Sequence, residues 1–160
     1  MSVAFTKEED SESNAANLPD RPVSPHANLV TARGLALLDE ALAQARAAYA
    51  TAQTGGEDVR GDRTAMARAT RDLRYYGARR ANAQLTEPAG GEGRVVFGGE
   101  VSFEREDGRR QTFRIVGEDE ADPAKGAVSY ISPLAQALLG KAVGDVAMVA
   151  GQEVEVVAVG

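Results

Sequence analysis

The sequence predicts an α+β chain, in which an N-terminal antiparallel helical hairpin of coiled-coil type precedes a small antiparallel sheet with one packed helix. Three observations predict it. Two consecutive stretches carry apolar residues at alternating steps of three and four, as a helical seam requires. A polar turn containing two glycines, Gly55 and Gly56, separates them and permits the chain to reverse. Beyond Arg94 the apolar period shortens to two, the period of a strand with one buried face.

Met1 to Asn28 is rich in Ser, Asn, Glu, Asp and Pro, so residues 1–28 are expected to form a disordered or loosely attached arm. The hairpin is assigned to residues 29–86. Thr31 is placed to cap the first helix, whose seam runs Leu35, Leu38, Leu42, Ala45, Tyr49 and Ala52. A second helix is expected from near Asp62, its cap, to about Gln84, with Met66, Ala69, Leu73, Tyr76 and Ala83 on the seam and Arg80 interrupting the row. Alanine dominates both stripes, so the helices can approach closely while burying modest area, and this is the less stable module.

Residues 87–93 read as a linker, and 94–160 as the second module. Val101 and Phe103 alternate with Ser102 and Glu104, Asp107-Gly108 supplies a hairpin turn, and Phe113 and Ile115 return. A later apolar pair spans Val146 to Val149 and Glu153 to Val159 around Gly151. Between the pairs lies a short helix with Ser132 as N-cap, Pro133 at its first position and Gly140 past its end. Leu134, Ala135, Leu138 and Leu139 form its apolar face.

Cysteine is absent, which removes disulfides, thiolate metal sites and cysteine nucleophiles, and suits a cytoplasmic location. The net charge of −6 is unevenly spread: residues 1–30 carry −3, 31–87 carry +2 and 88–160 carry −5. An acidic chain is a poor autonomous binder of nucleic acid, because that affinity comes largely from cations. A protein or protein-RNA partner is the expectation, with no membrane and no small-molecule substrate. The single histidine, His26, lies in the proline-rich arm, so triads and His-based metal sites shrink together; no catalytic residue, metal site or cofactor is assigned.

Glu57, Asp58 and Asp62 cluster at the hairpin turn, where carboxylates could assist a hard cation or could form an acidic solvated turn. Seven arginines crowd the second helix, and at 100° per residue Arg60, Arg63, Arg71 and Arg74 share one face opposite Met66 and Leu73. That face is either a contact for acidic surface or RNA, or an ordinary solvated face. Tyr75 and Tyr76 are read as packing residues, and Arg80 as a pairing partner for the second module. The carboxylates Glu118, Asp119, Glu120 and Asp122 have no metal-loop spacing.

The run from Ile115 to Asp145 carries a family resemblance: Ile115-Val116-Gly117 with Glu120-Ala121-Asp122, Ile131-Ser132-Pro133-Leu134-Ala135 through Leu138-Leu139-Gly140-Lys141, and Val143-Gly144-Asp145. It resembles the C-terminal signature of the bacterial Gre transcription elongation factors, strongly from Arg94 onward and weakly in the hairpin. The resemblance implies an FKBP-like C-terminal domain, RNA polymerase as partner, nucleic acid met only within the polymerase complex, and a factor that is not itself an enzyme. It also implies that Ile131, Ser132 and Pro133 dock on the rim of the polymerase secondary channel, with Ile131 as an exposed anchor.

In that family, acidic hairpin-tip residues help hold a magnesium ion and water for transcript cleavage. Glu57 and Asp58 are the candidates here, yet the usual tip pattern, resembling G-D-x-x-E-N-A-E-Y, is replaced by Gly56-Glu57-Asp58-Val59-Arg60-Gly61-Asp62. The hairpin is also about two turns per arm shorter than usual, about 10 Å of reach at 5.4 Å per turn. The expected function is therefore modulation of elongation without cleavage, similar to regulators of nucleoside diphosphate kinase that share the domain. The alternatives are a true cleavage-stimulating factor using Glu57 and Asp58, and a prolyl isomerase, which would need an aromatic pocket built from Phe97, Phe103, Phe113 and Tyr130.

Overall fold

The computed structural model describes residues 18–54, 59–89 and 92–160, with residues 59–62 described through their backbone alone. The elements run β1 (Asn28–Val30), α1 (Ala32–Gln53), α2 (Val59–Ala81), β2 (Ala83–Leu85), β3 (Glu100–Arg105), β4 (Arg110–Val116), β5 (Ala127–Ser129), α3 (Pro133–Leu138), β6 (Val146–Val149) and β7 (Gln152–Val159). The chain divides into two units, Met1–His26 with Leu38–Asn82, and Ala27–Leu37 with Ala83–Gly160.

The first unit is the helical hairpin. Leu38, Ala45 and Ala52 of α1 and Ala69 of α2 are buried, with Leu42, Tyr49, Met66, Leu73 and Tyr76 half-buried beside them. Asp39, early in α1, forms a salt bridge with Arg80, late in α2, as an antiparallel arrangement of the two helices requires. Arg80 thus pairs across the hairpin rather than with the second module, because its place on the seam side brings it over α1. The second helix starts at Val59, so Asp62 lies inside its first turn rather than capping it. It ends at Ala81, short of Gln84, since Ala83–Leu85 is drawn into a strand.

The expected arm is corrected from residue 18 onward. Asp20 and Arg21 lie on α2, held by charge and ring contacts, and Asn28 opens β1. The strands β1 and β2, which the helical periodicity hid, pair in parallel with Asn28 opposite Ala83 and Val30 opposite Leu85. They belong to the second unit, together with the first turn of α1. Thr31 caps α1, its hydroxyl accepting from the Gly34 N–H at 3.0 Å.

The main sheet of that unit has the order β5-β4-β3-β7-β6. Its pairs are antiparallel except β4 with β5, which run parallel because the segment between them crosses over before β5 begins. Val101, Phe103, Ile115, Val154 and Val156 line one face, against which α3 packs Ala135 and Leu138. The Ser132 hydroxyl accepts from the Ala135 N–H at 3.2 Å, and Gly140 takes φ of 83° just past the helix, a left-handed geometry glycine adopts without strain. Gly117 answers to close approach instead: a Cβ there would stand 2.4 Å from the Leu29 carbonyl oxygen, so only glycine lets β1 lie against this turn.

Candidate functional site

Residues 129–136 form a turn tied down at nearly every polar group. The Tyr130 N–H donates to the Val116 carbonyl at 2.9 Å, and the Ser132 N–H to the Ser129 carbonyl at 2.9 Å. The Ile131 N–H reaches the Ser129 hydroxyl at 3.3 Å, and the Gln136 side-chain amide donates to the Tyr130 carbonyl at 2.6 Å. The Tyr130 hydroxyl donates to the Ala27 carbonyl, and its ring meets Phe97 edge-on at 5.5 Å. Such a turn presents its side chains with little freedom left to lose on binding. Pro133 is exposed, whereas Ile131 is half-buried rather than exposed, because its backbone is drawn into the turn.

Glu57 and Asp58 lie outside the described residues, as does the side chain of Arg60. Of the other arginines assigned to one face, Arg63 and Arg74 are exposed and Arg71 is half-buried, 3.7 Å from Asp72. Arg74 donates to Asp20 at 3.0 Å. Tyr75 and Tyr76 are half-buried and meet edge-on at 5.1 Å, with the Arg21 guanidinium 3.8 Å over the Tyr75 ring. A hydrogen bond to Tyr76 raises the pKa of Arg21 above its ordinary value against the opposing pull of burial. Arg79, counted among the helix arginines by sequence, is only 1% exposed.

The acidic stretch after β4 is dispersed by its partners. Glu120 accepts from the Thr31 hydroxyl at the start of α1, where a carboxylate also suits the helix dipole. Asp122 stands 4.0 Å from Lys125, and Glu118 and Asp119 are each engaged in contacts of their own. Among the described residues no group of three or more His, Asp or Glu side chains converges as a metal cage. The aromatic residues are spent on packing: Phe103 is fully buried and stacks with Phe113 at 6.1 Å, and Phe97 pairs with Tyr130. No helix among the described residues is long and apolar enough to cross a membrane.

Two features escaped the sequence reading. The docking of Asp20 and Arg21 on α2 had no periodic signal, although a charged dipeptide between two prolines could have been noted. The edge strand β6 exposes Val146 and Met148 while burying Ala147 and Val149, with Val143 exposed beside it. There the alternation was visible, but the outward residues are apolar where polar ones would ordinarily stand.

Comparison with known proteins places these features in a context. The family model described as "Transcription elongation factor, GreA/GreB, C-term" matches residues 90–160. Transcription elongation factor GreA of Ralstonia nicotianae is 50% identical over 72 residues, 43% of this chain and 46% of that protein. GreA of Verminephrobacter eiseniae is 38% identical over 112 residues, 68% of this chain and 70% of that protein. The chain spans about half to two thirds of the length of other curated relatives, 46% in one and 65% in another. The crystal structure of GreA factor homolog 1 (Gfh1) of Thermus thermophilus is 24% identical, covers 84% of this chain and 99% of its own, and has a TM-score of 0.39, too low to carry a structural argument.

Proposed function

The chain belongs to the GreA/GreB family of transcription elongation factors, and from that premise we propose that it binds bacterial RNA polymerase at the secondary channel and modulates elongation without stimulating transcript cleavage. It acts as a regulator in the cytoplasm and not as an enzyme. The observation that carries this reading is the joining, in one chain, of the rigid Ile131–Pro133 turn to an antiparallel hairpin with helices of 22 and 23 residues. At 1.5 Å per residue such helices are each about 33 Å long, enough to enter a channel. The turn supplies docking: Pro133 and the outer part of Ile131 offer apolar surface that is already ordered, so association costs little side-chain entropy.

The same reading assigns the hairpin a blocking role. A carboxylate assists a metal only within coordination distance, about 2 to 2.6 Å, so a hairpin about 10 Å short leaves Glu57 and Asp58 out of reach. A channel occupied without metal assistance excludes other factors and changes pausing. Stalled polymerase complexes are expected to show no added cleavage with this protein, and less cleavage when it competes with a cleavage-stimulating relative. Strong cleavage that disappears on joint Glu57→Ala and Asp58→Ala substitution would defeat this reading in favour of a true cleavage factor. Ile131→Asp is expected to weaken association with core polymerase about tenfold or more, by placing a charge in an apolar contact, with the fold intact. Unchanged affinity would remove the turn from the interface.

A further inference from the structure

Asp20 and Arg21 sit between Pro19 and Pro22 and engage four residues of α2 within the hairpin unit. Asp20 Oδ1 accepts from Arg74 at 3.0 Å, Arg21 faces Asp72 at 3.7 Å, and the Arg21 guanidinium covers the Tyr75 ring at 3.8 Å and reaches within 5.1 Å of the Tyr76 ring. The dipeptide matches the helix face charge for charge, a carboxylate on Arg74 and a guanidinium on Asp72. Flanking prolines restrict the backbone, so little entropy is lost when the segment lies down. The Asp20–Arg74 pair is weak alone, because its side chains are 61% and 65% exposed and water screens them, and the Arg21–Asp72 pair, 37% and 34% exposed, is long at 3.7 Å. The set is therefore suited to opening and closing rather than to permanent fixation.

We propose that Asp20–Arg21 is a strap that covers Arg74 and Tyr75 of α2, one turn along from Arg71, and gates the contact of that face with single-stranded nucleic acid. The chemistry of the contacts indicates the ligand. The Asp20 carboxylate occupies on Arg74 the place of a phosphate oxygen, and the planar Arg21 guanidinium occupies on Tyr75 the place of a stacked base. Single strands are held in that manner, by cations along the backbone and aromatic faces under the bases. With the strap seated, both positions are filled by the chain itself, which agrees with the poor autonomous nucleic-acid binding expected of an acidic protein. The inference goes beyond the proposed entry of the hairpin into the polymerase channel by taking up the RNA alternative for the arginine face of α2, and it rests on that entry.

The test uses the full chain without polymerase. Binding of a short fluorescein-labelled single-stranded RNA is followed by anisotropy at low salt for the parent protein and for the joint Asp20→Ala and Arg21→Ala variant. One charge of each sign is removed, so the net charge stays at −6 and a gain cannot come from bulk electrostatics. The expected result is roughly threefold to tenfold tighter binding, as release of a few weak contacts allows. Adding Arg71→Ala and Arg74→Ala to that variant should abolish the gain. Unchanged or weaker binding, no measurable binding by the strap-free protein, or a gain that survives loss of both arginines would each overturn the proposal. Association with polymerase is measured separately on the same proteins, so failure of the docking reading leaves its own distinct mark.

Discussion

The hairpin unit and the sheet unit bury different amounts of the same kind of surface. Among the described residues, the hairpin seals its seam with Ala45, Ala52 and Ala69 and has Leu38 as its one large fully buried apolar side chain. The sheet unit closes Phe103, Ile115 and Leu138 within a shell of valines, and α3 contributes Ala135 and Leu138 to that core. Apolar burial contributes about 25 cal/mol per Å², so an alanine seam holds two helices together weakly. The exposed pair of Asp39 with Arg80 adds about 1 kcal/mol or less between them. The lesson is a division of labour: the larger buried side chains lie in the sheet unit, which also holds the turn proposed for docking, and the hairpin is left adjustable.

The comparison is tested most severely at Phe103, which has no exposed surface. Phe103→Ala should cost about 3 to 5 kcal/mol, through lost transfer energy and a cavity that the surrounding valines cannot close. The measurement is the urea midpoint of the sheet unit, and a shift worth under 1 kcal/mol would show that the core is not where the stability resides. Leu38→Ala in the hairpin should cost less, about 2 to 3 kcal/mol, since helices lined by alanine can settle into the space left. A larger loss than for Phe103→Ala, read from helical circular dichroism, would reverse the ranking of the two units.

Gly117→Ala should follow at about 1 to 3 kcal/mol, the range for forcing atoms into a filled space. The added methyl would meet the Leu29 carbonyl oxygen, so β1 must retreat, and with it the bond from the Thr86 N–H to the Val30 carbonyl at 2.9 Å. Amide exchange at Thr86 is the sensitive measure. An unchanged rate would mean that β1 is not fastened to the sheet unit through this turn.

How much of this was legible in the sequence depended on the range of the interaction responsible. The seam of α1, the Asp107-Gly108 turn and the Ser132-Pro133 start of α3 all follow from neighbours within a few residues, and periodicity or capping chemistry exposes them. The α+β class and the family followed from those local signals and from the dense motif between Ile115 and Asp145. The strands β1 and β2 did not, because three-residue strands whose partners stand 55 positions apart leave no periodic trace. Asn28 reads as the end of a polar arm, Leu29-Val30 as the approach to the first helix, and Ala83 as part of the second. The same holds for the candidate sites: Ser132 as a cap was visible locally, whereas Asp20 on Arg74, Tyr130 on Ala27 and Glu120 on Thr31 join residues far apart in the chain.

The smallest predicted effect lies at the tip of the β3–β4 turn, where the sheet unit too depends on polar contacts in water. Asp107 accepts the Arg109 backbone N–H at 3.0 Å and the Arg109 side chain at 2.7 Å. The backbone hydrogen bond first, and the guanidinium after it, hold the carboxyl below its ordinary value of 3.8. A folded-state value below the unfolded one means that the stabilisation is complete above pH 3.8 and fades as the pH falls through the lower folded value. Asp107→Asn keeps an acceptor for the N–H but carries no proton-linked charge. The midpoint difference between parent and variant should therefore be small and constant from neutral pH down to about pH 5, then shrink towards zero in stronger acid. A difference that stays constant through the acid range would mean that the turn is held by its glycine and backbone alone, without the charge on Asp107.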